Sequence, residues 1–338
     1  MAKAGVVHFE KIALPLVVGF LFLFFAVSTY AGGLDWGGGG GDDEASCPVD
    51  DPLVIIPGPL GSPVRLARFD EQTSLVADYT RKTLSWFDSA GVLTPFLETL
   101  GKPLSIAIDA NFKKNGKFTN AYYYVGNDSA RTIDTYYQDK NSPLLLLGQH
   151  RVEENGIQAL DMVFVQELNL LFVVDGLSKE IKVLNTDGQL VRSFGLGSLM
   201  NPKGVAVDAS SDAVYISDYG DQVTGDTSGN NLGFSSSIKI FDLAGSPVGI
   251  ISGENLFSRP QGLALANGKL YLADSMHSQI FEFDRATGVK TAAFGCKGSS
   301  ADHLLLPMDV ILDAAGKNLY VADNRNARVT VLTLTQPY

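Results

Sequence analysis

Leu171-Phe-Val-Val-Asp175, Ile181-Lys-Val-Leu-Asn185, Thr186-Asp-Gly188 and Leu190-Val-Arg-Ser-Phe-Gly195 follow one another closely in the chain. A short apolar run ends in Asp, a second ends in Asn, a turn closes on Gly, and a third run follows. Runs rich in Val, Ile and Phe bounded by Asp, Asn and Gly read as strands joined by tight turns. Related copies end at Asp78, Asp218, Asp274 and Asp323, with a degenerate one at Asn127, and the successive intervals are 49, 48, 43, 56 and 49 residues. A period near that length, with four strand-like runs per unit, is the pattern of sheets set as blades around an axis.

The rest of each unit agrees. Inner strands begin at Pro63, Pro103, Pro202, Pro260 and Pro307, with Ala159 at this place in the third unit. Proline at the first position of a strand gives up no ladder hydrogen bond. The third strand runs into an Asp/Asn-to-Gly turn, as in Asp88-Ser-Ala-Gly91, Asn185-Thr-Asp-Gly188, Asp242-Leu-Ala-Gly245 and Asp284-Arg-Ala-Thr-Gly288. The last unit stops at Val329-Thr-Val-Leu-Thr-Leu334, one strand short, and Leu53-Val-Ile-Ile56 is a spare strand at the other end. Pairing the two removes an exposed edge. The expected fold is all-β: a six-bladed β-propeller of four-stranded blades over residues 53–338, its ring closed by Leu53–Ile56.

Composition sets limits on function. The chain has 338 residues, 45% hydrophobic content, only 19% charged residues and a formal net charge of -11. This supports a large core and disfavours nucleic acid, whose binding needs a basic face. Lys3 and Lys11 precede an apolar stretch from Ile12 to Val27, and Ala31-Gly32 follows. That order reads as a secretory signal over residues 1–31. The alternative is an uncleaved anchor, the one membrane contact expected, although the run falls short of the ~20 residues that span a bilayer. Residues 32–52, with five successive glycines, read as a flexible linker. The expected location is therefore periplasmic or extracellular. There the only two cysteines, Cys47 and Cys296, can form a disulfide or remain two thiols.

Pro202-Lys-Gly-Val-Ala-Val-Asp208, Tyr215-Ile-Ser-Asp218 and Ile238-Lys-Ile-Phe-Asp242-Leu-Ala-Gly245 resemble the NHL repeat. Residues 260–288 and 307–331 carry the resemblance too, and the first two units diverge from it. The resemblance implies a six-bladed propeller and says little about activity, because one fold hosts many functions. A related amidating lyase with a histidine-ligated zinc, and related sugar-lactonase-like propellers, imply an enzyme as one alternative.

Candidate chemistry lies in the loops. Asp78, Asp175, Asp218, Asp274 and Asp323 should ring one face, each capping its own turn. The fourth unit carries an insertion, Tyr219-Gly-Asp221-Gln-Val-Thr-Gly-Asp226-Thr-Ser-Gly-Asn230-Asn231, whose oxygens suit Ca²⁺ but whose spacing fits no EF-hand. The alternative is a long solvated loop that contacts a partner. His150, His277 and His303 fall in loops of one face, and three histidines with an open position suit Zn²⁺. No spacing forces them together, so no metal or other cofactor is assigned. The tyrosines at 122–124, 136 and 137 read as strand packing or as a partner-binding patch. The leading expectation is an exported, non-catalytic binding or scaffolding module. It would contact a protein or glycan through Tyr219, Asp221, Asp226, Asn230, His277 and His303. The alternative is a metal-dependent lyase or hydrolase at the axial mouth.

Overall fold

The computed structural model describes residues 54–56, 58–112, 117–220, 222–223, 233–253, 256–301 and 303–334. The segments expected to be a secretory signal (residues 1–31) and a linker (32–52), with Cys47, Asp221, Asp226 and Asn230, lie outside the described residues. Among the described residues no helix is long and apolar enough to cross a membrane.

The fold is a six-bladed β-propeller. Blade 1 is built from Pro63–Arg68, Thr73–Asp78, Thr83–Asp88 and Leu93–Glu98 in simple up-and-down order. Blade 2 (Pro103–Phe112, Phe118–Asn127, Thr132–Asp139, Leu145–His150) and blade 3 (Ala159–Val165, Leu170–Asp175, Glu180–Leu184, Leu190–Phe194) repeat it. So do blade 4 (Pro202–Asp208, Ala213–Asp218, Ser237–Phe241, Pro247–Ile251) and blade 5 (Pro260–Ala266, Lys269–Asp274, Gln279–Asp284, Lys290–Phe294). Blade 6 has Pro307–Leu312, Asn318–Asp323 and Arg328–Thr333, and its outer strand is Val54–Ile56 from the start of the chain. There Val54 pairs with Val331, Ile55 with Thr330 and Ile56 with Val329, the closure expected from the sequence.

The core is divided among the seams. One apolar cluster fills each gap between neighbouring blades: Phe172, Val174 and Ile181 against Val205, Val214 and Phe241 between blades 3 and 4, for example. Another joins Ile56, Val329 and Tyr320 of blade 6 to Leu66, Val76 and Phe87 of blade 1. Each blade therefore buries both faces, which explains uninterrupted apolar runs such as Leu171–Val174 where a one-sided sheet would alternate. Tyr123, Tyr124 and Tyr136 are buried in these seams, in keeping with the packing role read from the sequence.

Inner strands start at what is here called the upper face, where the Asp-bearing turns also lie, and end at the lower face. The insertion of blade 4 is more ordered at its base than a plain loop, since Gln222–Val223 pairs with Gly233–Phe234. Between blades 5 and 6, Cys296–Lys297 pairs in parallel with His303–Leu304.

Candidate functional site

The recurring aspartates on the upper face come first. Asp78, Asp175, Asp218, Asp274 and Asp323 are at most 1% exposed. Asp78 accepts the amides of Gly61 and Ser62, which lead into its own blade, at 2.6 and 3.0 Å, and those of Thr80 and Arg81 in its own turn at 3.1 and 3.0 Å. Asp274 does the same with Ser258 on one side and Met276 and His277 on the other. Asp218 takes Met200, Asn201 and Gly220, and the Lys239 ammonium lies 2.9 Å away. Burial raises the Asp218 carboxyl, but Lys239 and the three amides more than reverse this and its pKa lies below the ordinary value. The acidic ring is consumed in holding loops together.

The axis is set by the inner strands. Each slips register near its start, for instance between Pro63 and Arg65, Ala159 and Asp161, and Pro307 and Asp309. Such bulges turn main-chain groups out of the ladder. The third residues of the six inner strands are Arg65, Ser105, Asp161, Gly204, Gly262 and Asp309. Arg65 Nε donates to Asp161 Oδ1 at 3.1 Å, Nη1 to the carbonyls of Val64 and Met308 at 2.9 and 3.0 Å, and Nη2 to that of Lys203 at 2.9 Å. One buried guanidinium thus ties blades 1, 3, 4 and 6 across the axis. Asp161 Oδ2 accepts the Val205 amide at 2.9 Å and Asp309 Oδ2 accepts the Leu66 amide at 2.8 Å, each stitching its blade to the next. Burial raises both carboxyls against the pull of Arg65, and the Asp161 charge adds to the rise at Asp309, which is pushed up to about 7.

Beside this plug, toward the upper face, are the residues that precede it. A Cβ on Gly204 would lie 3.0 Å from Gly262 Cα and against the Gln261 carbonyl, so blades 4 and 5 touch here. Lys203, one residue earlier, therefore stands alongside Arg259, Pro260 and Gln261. The Arg259 guanidinium sits 5.8 Å from the centroid of the Tyr219 ring. Burial, then the charges of Arg259 and Arg65, lower the Lys203 ammonium to about 8, with Asp218 opposing. Farther round, Tyr79 donates to Asp128 at 2.7 Å, Gln158 donates to Asp128 at 3.2 Å, and the Lys102 ammonium lies 4.9 Å from the centre of the Tyr79 ring.

Of the residues marked in the sequence, Tyr219 stands at this mouth. The histidines stand at separate places. His277 Nδ1 is 3.1 Å from Asp274 Oδ2 in a turn of blade 5, its ring against Phe281. His303 lies in the link between blades 5 and 6, where its carbonyl accepts Arg328 Nη2 at 2.6 Å. His150 ends the outer strand of blade 2 beneath Gly188, as Phe194 lies beneath Gly245 and Ile251 beneath Gly288. His150 thus fills a packing position that other blades give to apolar side chains. Among the described residues no three His, Cys, Asp or Glu are grouped to hold a metal ion. Cys296 is not a free thiol; its pairing with Cys47 is a proposal, since Cys47 is outside the described residues.

Arg65, Asp161, Asp309, Lys203 and Arg259 went unmarked in the sequence. Aligning the six units on the first residue of each inner strand would have revealed the first four, since charge at the second or third place of an apolar strand is out of pattern; Arg259 stands just before Pro260 and gives no such signal. On the lower face a cleft of about 600 Å³ opens between blades 3, 4 and 5, lined by Phe164, Val207, Leu265, Asn267 and the Asp208–Arg285 ion pair. The hydroxyls of Ser210 and Ser211, then Arg285, bring the Asp208 carboxyl down to about 2.

A scan against protein-family models finds no match. Among solved structures the chain is similar to hydrazine synthase of Kuenenia stuttgartiensis, with a TM-score of 0.59 and 14% identity over 86% of this chain and 99% of that one. It is also similar to the PQQ-bound aldose sugar dehydrogenase of Streptomyces coelicolor, with a TM-score of 0.58 and 16% identity over 83% and 97%. A streptogramin B lyase aligns with a TM-score of 0.55 and 11% identity over 83% and 97%. Such likeness shows the propeller fold and carries no activity with it.

Proposed function

We propose that this chain is an exported NHL-type propeller that binds a protein or glycan through its upper face and carries out no chemistry of its own. The observation that supports this reading is the employment of the axial carboxylates. Asp161 and Asp309 are buried and accept main-chain amides, and Arg65 closes the axis over them. A hydrolase or lyase at the mouth needs acid, base or metal-ligating groups free to meet a substrate. The upper face instead offers Tyr219, Arg259 and Lys203 as contacts, and aromatic and Arg side chains are the usual anchors of interfaces. The N-terminal pattern of Lys3, Lys11 and the apolar Ile12–Val27 supports export.

Photo-crosslinkers placed at Tyr219, and at Asn267 on the lower face, test the proposal in the native host. The expected result is one recurrent partner captured from position 219 and not from 267. Stoichiometric zinc or calcium in the purified protein, with a hydrolytic or lyase activity lost in His277→Ala or Asp221→Ala, would establish the enzyme instead. N-terminal sequencing of the mature protein checks export, with a new terminus at Gly32 expected.

A further inference from the structure

We infer that the upper mouth holds an oxyanion (a carboxylate, phosphate or sulfate group) between Lys203 of blade 4 and Arg259 of blade 5. The inference rests on the upper face being the binding surface and names the chemistry recognised there.

The position of Lys203 is the first reason. It is enclosed by protein on most sides yet keeps partial solvent access, the condition of a side chain lining an opening. Among the described residues its ammonium makes no hydrogen bond or ion pair. The neighbouring carboxylate that acts on it, Asp218, is already engaged by Lys239 and three amides. A second carboxylate near the mouth, Asp274, is occupied by the amides of Ser258, Met276 and His277.

Arg259 is the second reason. It reaches the same seam from the next blade, and the Tyr219 ring below its guanidinium restricts where that group can lie. Arg65, ion-paired with Asp161, is joined to the Lys203 carbonyl from the axis. Two cations held together at partial burial repel each other more strongly than in water. An oxyanion between them relieves that repulsion and accepts charge-assisted hydrogen bonds from both, and a planar guanidinium suits carboxylate and phosphate especially well. Converging cations are unexpected by chance in a chain of net charge -11. Gln261, fully buried beside them with its amide nitrogen 3.4 Å from Ser275 Oγ, supplies a neutral polar wall.

The test is competitive acetylation of the intact folded protein at pH 7.5, read peptide by peptide by mass spectrometry. Sodium glucuronate, phosphate or sulfate is added in separate arms, with glucose and sodium chloride as neutral and ionic-strength controls. Lys203 is expected to acetylate in the controls and to be protected at least fivefold by one of the three anions, while exposed Lys82 is unaffected. The arm that protects identifies the oxyanion. In Arg259→Gln, checked for folding by circular dichroism, the protection should disappear, and calorimetric binding of the same anion should weaken at least tenfold in Lys203→Met. No protection by any anion, or equal protection in Arg259→Gln, overturns the site. A Lys203 that stays unlabelled in the controls also overturns it, because a pocket closed to acetic anhydride is closed to these ions. Partner capture at position 219 that fails while protection persists would sink the binding-module reading and leave the anion site standing. Capture without protection would do the reverse.

Discussion

Arg65, Asp161 and Asp309 place one positive charge and two carboxyls where water does not reach, so one of the carboxyls holds its proton into the neutral range. Asp309 binds its proton more tightly in the folded chain than the unfolded chain does. Between about pH 4 and about 7 folding is therefore linked to proton uptake, and stability falls as pH rises through this window. Asp309→Asn keeps the shape and cannot ionise. Its difference from the parent in urea midpoint should favour the parent at pH 4.5 and shrink or reverse by pH 8. A difference that does not change with pH would contradict the assignment. Lys203 runs the other way: its lowered pKa penalises the folded state below about 8, so Lys203→Met should gain more stability at pH 6 than at pH 10. Gly262 has a purely steric task. A Cβ there would overlap Asp309 Oδ1 and lie 2.9 Å from Asp309 Cα. Gly262→Ala should lower stability by about 1–3 kcal/mol, measured by denaturant unfolding.

At the scale of the element, the unit that repeats is a strand end plus two loops locked by one carboxylate. Removing it from Asp218 leaves three amides without their acceptor and Lys239 with only the Ser198 carbonyl. Asp218→Ala should lower stability by roughly 3 kcal/mol. Amide exchange should quicken first at Met200, Asn201 and Gly220, whereas Asp187→Ala, in an exposed turn, should change neither. These elements were plain in the sequence because the cause is local. An Asp at the end of an apolar run and a Pro at the head of the run before it meet in the same ladder, as Asp218 pairs with Pro202. The mouth was not plain, because its parts come from different blades. Lys203 and Arg259 are far apart in sequence and become neighbours only through the contact of Gly204 with Gly262. Tyr219 was noticed for its place beside the insertion, and its role under Arg259 needed the fold. His150 stood among three candidate ligands with no metal assigned, and the sequence gives no sign that it stands where Phe194 and Ile251 stand.

At the scale of the whole molecule, six seams hold six clusters, and the sixth depends on a strand from the opposite end of the chain. Ile56 is fully buried in that cluster. Ile56→Ala should lower stability by about 2–5 kcal/mol. A chain beginning at Gly58 should lose more and should self-associate as concentration rises, because Arg328–Thr333 then presents an open edge. Analytical ultracentrifugation of the shortened protein checks this, and a stable monomer would argue against the clasp. Ring closure was legible from the sequence because strands must be accounted for: the last unit lacked one and the start of the chain had one to spare.

The direction of that clasp has a mechanical meaning. Val54 pairs toward the lower end of the last strand and Ile56 toward its upper end. A pull applied at Val54 along the chain would load three residue pairs in shear before it reached the other five blades.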